Sequence, residues 1–288
     1  MRRRHIIRSR SWPAYSLLPG LAFTPGLSVG WSVNAGAFGV GSLTGIYARS
    51  SPSRARPAAA RIRLALARVG IRVCERTVAA SMRRQQLVPA SSRLFVKPCR
   101  KVEAEEKVVD LCGRCWDQGG LDLVWVTDFT YLRCGEGWVY LVAVRDAHSR
   151  RVVGWAMAEH MRTGLVIDAL EMAFEIRGRV PAQIVLHADR GAQFTSSELK
   201  AYLDAVGGRV SAGRTGVCWD NAMAESFWAS LKVEHFYRHA YTTREQVYES
   251  VDEWIDVFYN RQRIHTALGG LSPVEYELAL ATQQREAA

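Results

Sequence analysis

The chain is expected to fold as a mixed α/β protein: a five-stranded sheet flanked by helices, preceded by a small all-α, helix-turn-helix-like segment. Three observations lead there. LVWVTDFTYL, WVYLVAVRDA and VVGWAMAEH are rich in β-branched and aromatic residues and are separated only by short turns, the pattern of an antiparallel meander. Beyond them, apolar strand-like runs alternate with segments of helical periodicity, as in layered α/β folds. Before them, apolar residues recur at helical spacing around a central glycine.

From about Ala58, Ile62, Leu64, Leu66 and Val69 lead to Gly70, a residue suited to a helix C-terminus. Val78, Met82 and Leu87 then mark a second helix, so the two are joined through Gly70–Val73. Arg72 and Arg76 are among the basic residues that would face DNA from this pair. Val88–Lys101, with Pro89 and Pro98, reads as a linker. The body starts near Leu121 with the three meander strands, turning at Cys134–Gly137 and His148–Arg151. Thr163–Ile176 is expected to be helical with Thr163 as its cap. IVLHA is a buried fourth strand, Ser196–Val206 a helix and RVSA a short fifth strand. A polar loop, Gly213–Trp219, precedes a helix from about Asn221 to Phe236, and a last helix spans Arg244–Asn260. The resulting division is 1–52 outside the regular pattern and expected to be disordered, 53–88 helix-turn-helix-like, 89–117 linker, 118–277 body and 278–288 tail.

Charge separates the same regions. Residues 1–110 carry 20 Lys/Arg against 5 Asp/Glu, whereas residues 111–288 carry 18 against 23. A basic arm ahead of a mildly acidic body points to a polyanionic partner, with a merely solvated basic tail as the alternative. Residues 11–48 are uncharged but interrupted by Pro13, Pro19, Pro25 and seven glycines, which excludes a membrane span and argues against a signal peptide. The close pair Cys112/Cys115 lacks a second ligand pair, since His148 and His160 have no pair spacing. Reduced thiols in a cytosolic protein are therefore expected.

Three carboxylates carry the chemistry. Asp128 lies in the first strand, where Val124, Val126 and Asp128 share a face, and it is expected to project near the strand's end. Asp189 follows the buried run IVLHA, at a turn where active groups are often placed. Glu225 comes 35 residues after Asp189 on a helix, and Asn221, Glu225, Trp228 and Lys232 fall near one face of it. Singly each acid has an ordinary reading as a cap, turn or solvated residue. Together they form a hard oxygen donor set for Mg²⁺, of the kind that holds two ions about 3.5–4 Å apart in phosphoryl transfer. His187, Arg190, Gln193 and Asn221 are secondary candidates, and Tyr259, Asn260, Arg261, Arg263 and His265 form a basic, aromatic tail suited to phosphate or to closing the domain.

The stretches VWVTDFTYLRCGEGWVYLVAVRDAHSRRVVGWAM, LHADRGAQFTS, GVCWDNAMAESFWASLK and FYNRQRIHTALGGLSPVEY resemble the second-frame transposase of the IS-three family of bacterial insertion sequences, over roughly residues 120–277. The Asp, Asp, 35 residues, Glu spacing matches that family's signature, and Lys232 stands where it has a basic residue. The segment Arg61–Leu87 resembles the family's DNA-binding module more weakly, with Arg56–Ala60 replacing its Tyr-Gly stretch.

The resemblance implies a retroviral-integrase-like catalytic core with an RNase H-like fold. Asp128, Asp189 and Glu225 would bind two Mg²⁺ ions, with Mn²⁺ able to substitute. The activity implied is cleavage at the ends of the element and transfer of the 3′-OH to another DNA, in a homo-oligomer. Lys232, Asn221, Arg190, Arg261, Arg263, Arg72 and Arg76 are the implied DNA contacts. An upstream-frame helix-turn-helix protein is a candidate partner, and the bacterial nucleoid the place of action. A catalytically idle remnant, a DNA-binding regulator and an RNase H-like nuclease remain as alternatives.

Overall fold

A computed structural model of the chain describes residues 56–87, 109–113, 115–213 and 222–287. Residues 1–52, most of the expected linker, all but Gly213 of the Gly213–Trp219 loop, and Asn221 lie outside the described residues. Those described divide into two compact units, one formed by the first two helices and the other by everything from Val109 onward.

In the first unit, α1 (Arg56–Arg68) and α2 (Glu75–Arg84) bury Ala58, Ala59, Ile62 and Leu66 against Val78 and Met82. Gly70 adopts φ +81° in the connection, where a side chain would be strained. Val69 continues the apolar spacing of α1 but is 67% exposed, because the helix has ended before it. Arg72 and Arg76 are both exposed.

The second unit is built on β1 (Val124–Cys134), β2 (Gly137–Asp146), β3 (Val152–Ala158), β4 (Val185–Ala188) and β5 (Arg209–Ala212). Their order in the sheet is 3-2-1-4-5, with β1, β2 and β3 antiparallel and β1, β4 and β5 parallel. This is the mixed, RNase H-like sheet the sequence implies. Strand alternation sends Leu132, Val139, Leu141, Ala143 and Val152 to one face, where they meet α5 (Ala222–Ser230) and α6 (Arg244–Glu253). Trp125, Val142, Val144, Val153 and Leu186 face the other side and pack on α3 (Thr163–Arg177) and α4 (Ser197–Ala205). Burying each such large apolar side chain contributes about 1.5–3 kcal/mol. Gly154 permits close approach of α3, since a Cβ there would collide with the Ala169 carbonyl and the Ala173 amide.

The structure corrects several sequence expectations. Thr163 is the first residue of α3 and not its cap; Arg162 takes the cap position without a side-chain bond. The helix carrying Glu225 passes into a π-helical turn at Leu231–His235, and α6 likewise continues as a π-helical turn at Trp254–Tyr259. A further helix, α7 (Pro273–Glu286), follows the one expected to be last, opened by Ser272 and Glu275 in a reciprocal capping box with Pro273 at its first position. Residues 109–112 are part of the sheet unit and not linker: Leu111 N–H donates to Ser211 Oγ at 2.9 Å, and Cys112 is buried with Val124 and Val126.

Candidate active site

The parallel register brings the first two acids together. β1 and β4 pair as Val124↔Val185, Trp125↔Leu186 and Val126↔His187. Two residues further, the same register aligns Asp128 with Asp189, just past the end of β4 at Ala188. Asp128 is thus in the middle of β1 and not near its end; what ends there is the neighbouring strand. The carboxylate of Asp189 accepts the Gly191 N–H at 2.9 Å, so it also shapes the turn that follows.

The third acid arrives from the helical side. Arg145, buried on β2, donates to the Met223 carbonyl at 2.6 Å and to Tyr259 Oη at 3.4 Å, which fixes the start of α5 two residues before Glu225. Glu225 is exposed, whereas Trp228 turns inward and is 6% exposed. The indole N–H of Trp228 donates to Asp128 Oδ2 at 3.1 Å, and the Phe129 N–H donates to Oδ1 at 2.7 Å. Both oxygens of the central carboxylate are therefore held. The expectation of one shared face for Glu225, Trp228 and Lys232 holds only loosely, because Trp228 packs in the core and the π-helical turn lies between Glu225 and the end of the helix.

Electrostatics mark the same spot. Burial, with the charge of Asp189 next and that of Glu225 smaller, pushes Asp128 up to about 7, although the bonds from Phe129 and Trp228 favour its ionised form. Partial burial raises Glu225 as well. Burial lowers Lys232, against the pull of Asp128. Its Nζ sits 4.9 Å from the ring centre of Tyr131 on β1, a cation–π contact on the margin of the acidic cluster. Asp128 feels the charges of both Asp189 and Glu225 and titrates near neutral pH, and oxygen donors of this kind suit a hard divalent cation.

The remaining candidates separate. Arg190 Nε donates to the Gly213 carbonyl at 2.7 Å, joining the turn after Asp189 to the end of β5. Gln193 donates to the Met161 carbonyl at 3.1 Å. Arg263 forms a two-pronged pair with Glu234, both bonds at 2.8 Å, and also reaches Ser230. Tyr259 and Asn260 are buried, and the Asn260 side chain both accepts from the Val152 N–H and donates to its carbonyl, closing the end of β3. His265 is 7% exposed. Of that tail Arg261 remains at the surface, with an ion pair to Asp256 at 3.3 Å. The sequence placed Trp228 only on the face of Glu225 and gave no signal for Arg145; the bonds of these two to Asp128 and to the start of α5 come from the fold.

Comparison with known proteins identifies the family. Integrase core domain family models match residues 122–218 and 225–279. The transposase InsF for insertion sequence IS3A of Escherichia coli (strain K12) is 40% identical over 202 residues, covering 70% of each chain. An uncharacterized 31 kDa protein of insertion element IS600 from Shigella sonnei is 39% identical over 153 residues, covering 53% of this chain and 56% of that one. Among solved structures, the HTLV-2 integrase catalytic core domain in complex with magnesium aligns at 14% identity and a TM-score of 0.43, over 54% of this chain and 95% of that one. Two integrase core matches and 40% identity across 70% of a transposase place this chain in the integrase-core transposases of insertion sequences, the IS-three family of polynucleotidyl transferases to which InsF belongs.

Proposed function

We propose that the chain cleaves DNA at the ends of its insertion element and joins the freed 3′-OH to a second phosphodiester, using Asp128, Asp189 and Glu225. The observation that carries this reading is the position of Asp128: half-buried on β1, aligned with Asp189 in the parallel register, and pushed up to about 7. Asp128, Asp189 and Glu225 would hold two Mg²⁺ ions, with Mn²⁺ as a substitute, which would neutralise charge at phosphorus and lower the pKa of the attacking oxygen. The rest is positioning, as in phosphoryl transfer generally. Trp228 and the Phe129 amide fix the orientation of the Asp128 carboxylate. Arg145 sets the height of Glu225 by holding the first turn of α5. Lys232, at the margin of the cluster, receives the phosphate next to the one that reacts. Water serves as the first nucleophile and a DNA 3′-OH as the second, both by in-line displacement, so no covalent protein intermediate forms.

In this reading residues 53–88 bind element ends through Arg72 and Arg76, and Arg190, Asn221 and Arg261 assist in the sheet unit. A homo-oligomer pairs the two ends on nucleoid DNA in the cytoplasm, with the upstream-frame protein as a candidate partner. The test is cleavage and strand transfer on DNA carrying the element's terminal repeats. Wild type is expected to nick and join in Mg²⁺ while Glu225→Gln binds the DNA without cutting. Undiminished cleavage by Glu225→Gln, or cleavage confined to RNA–DNA hybrids, would overturn the proposal.

A further inference from the structure

Besides the three acids, the fold assembles a second set of donors that includes His187, two residues before Asp189. Asp110, Cys112 and His187 offer ligand atoms that all lie within 4.8 Å of one another. They come from distant parts of the sequence: the first two from the segment beside β5, the third from β4. Cys112 is 5% exposed and His187 1% exposed, so a thiol and an imidazole converge in an interior with little access to water. Asp110 Oδ1 accepts the N–H groups of Cys112 and Gly113, which holds its carboxylate over the turn. The turn closes with the Cys115 N–H on the Cys112 carbonyl at 2.8 Å, so a second thiol stands one turn from the first. His187 is oriented by Ser211 Oγ, 3.0 Å from its Nδ1, and the Trp116 ring meets it edge-on at 6.4 Å.

We propose that Asp110, Cys112 and His187 form a structural Zn²⁺ site, with Cys115 as the fourth ligand. The donor chemistry distinguishes it from the carboxylate cluster. Thiolate and imidazole suit zinc, whereas Mg²⁺ takes oxygen ligands. In a tetrahedral zinc site the ligand atoms stand about 3.5 Å apart, as Zn–S of about 2.3 Å and Zn–N of about 2.0 Å dictate. The three atoms therefore need to close by up to about 1.3 Å, and Cys115, whose exposed thiol donates to the Asp117 carbonyl at 3.5 Å, would give up that contact to join them. On binding, the thiols lose their protons to solvent and no other bond changes. The consequence is mechanical. His187 pairs with Val126 in the sheet and stands two residues before Asp189, so an ion on His187 would fasten the 109–115 segment to the strand that presents Asp189.

Cobalt(II) titration of the full-length, metal-stripped protein tests this, because thiolate ligation gives an ultraviolet charge-transfer band that carboxylates do not. The expected result is a stoichiometric band, displaced by Zn²⁺, that is lost in Cys112→Ser and in His187→Gln, is diminished in Cys115→Ser, and persists in Asp189→Asn. Circular dichroism of each variant shows that loss of the band is not loss of the fold. Absence of the band in the wild type overturns the site, and its retention in Cys112→Ser or in His187→Gln overturns this ligand set. Neither outcome bears on DNA cleavage, which Glu225→Gln tests separately.

Discussion

The Trp228 indole lies 3.1 Å from Asp128 Oδ2, so a side chain from the helical layer orients the carboxylate at the centre of the sheet. Trp228→Phe keeps the ring in the core beside Phe227 but deletes the donor. A hydrogen bond to a charged group is worth about 1.5–3 kcal/mol, so single-turnover cleavage should fall about 10- to 100-fold with DNA affinity unchanged. The lost donor favours the ionised carboxylate, so the acid limb of the pH–rate profile should also move to higher pH. A variant with wild-type rate and profile would show that the contact is packing only.

The raised carboxyl of Asp128 predicts a conflict between stability and activity. Its folded-state value, about 7, lies above the ordinary carboxylate value of 3.8, so the folded protein holds this proton more tightly than the unfolded chain does. Metal-free stability should therefore fall as pH rises from about 4 to about 7, then level off. Asp128→Asn removes that penalty and should stabilise the metal-free protein at pH 8, by up to about 4 kcal/mol from about 1.4 kcal/mol per pKa unit over a shift of about three units. Mg²⁺ should raise the melting temperature of the wild type more than that of the variant. Thermal melts at pH 5 and pH 8, with and without Mg²⁺, check both signs.

Lys232 rests on the ring of Tyr131, which is 58% exposed. Neutralising a single phosphate contact should lower the slope of log affinity against log salt by about 1. Lys232→Ala is expected to show this change, and Lys232→Arg to preserve most of the slope. Measurement of DNA affinity across a salt series decides; an unchanged slope in the alanine variant would remove Lys232 from the interface.

Arg263 and Arg261 lie close in sequence and should behave differently. The side chains of Arg263 and Glu234 are 11% and 7% exposed, whereas that of Arg261 is 55% exposed. Breaking a buried pair by removing one partner typically costs about 3–5 kcal/mol, because the other charge is left stranded. Arg263→Ala should thus lower stability by that order, measured by urea unfolding. Arg261→Ala should leave stability within about 0.5 kcal/mol, as surface changes usually do, and weaken DNA binding at low salt.

What was legible in the sequence follows the physics of each signal. The strands were readable because each alternates, with Val139, Leu141 and Ala143 toward one layer and Val142 and Val144 toward the other. The acids were readable because their order and spacing are properties of the sequence itself. The partners of the acids were not. Trp228 has the spacing of an ordinary core aromatic, and only the fold puts its N–H against β1. Arg145 reads as a surface cation on a strand, yet it is buried by the helix it anchors. The tail had two readings, phosphate contact or closing the domain, and the tertiary pairing of Tyr259, Asn260 and Arg263 favours the second for those three residues. The start of α7 could have been seen, since Ser272-Pro273 followed by Glu275 is a helix-start signature.

The Arg190–Gly213 bond changes what the 35-residue interval between the second and third acids means. The Gly213 N–H returns to the Ala188 carbonyl at 3.2 Å while its own carbonyl takes Arg190 Nε. The chain therefore leaves Asp189, makes α4 and β5, and comes back beside its starting point. Only the stretch from Gly213 to Glu225 spans from one acid to the other. The first part of the interval is thus a closed excursion, whose size the separation of Asp189 from Gly213 does not feel. Residues added at the outer end of α4 should leave the three acids in register, while the same number added after Gly213 should separate them.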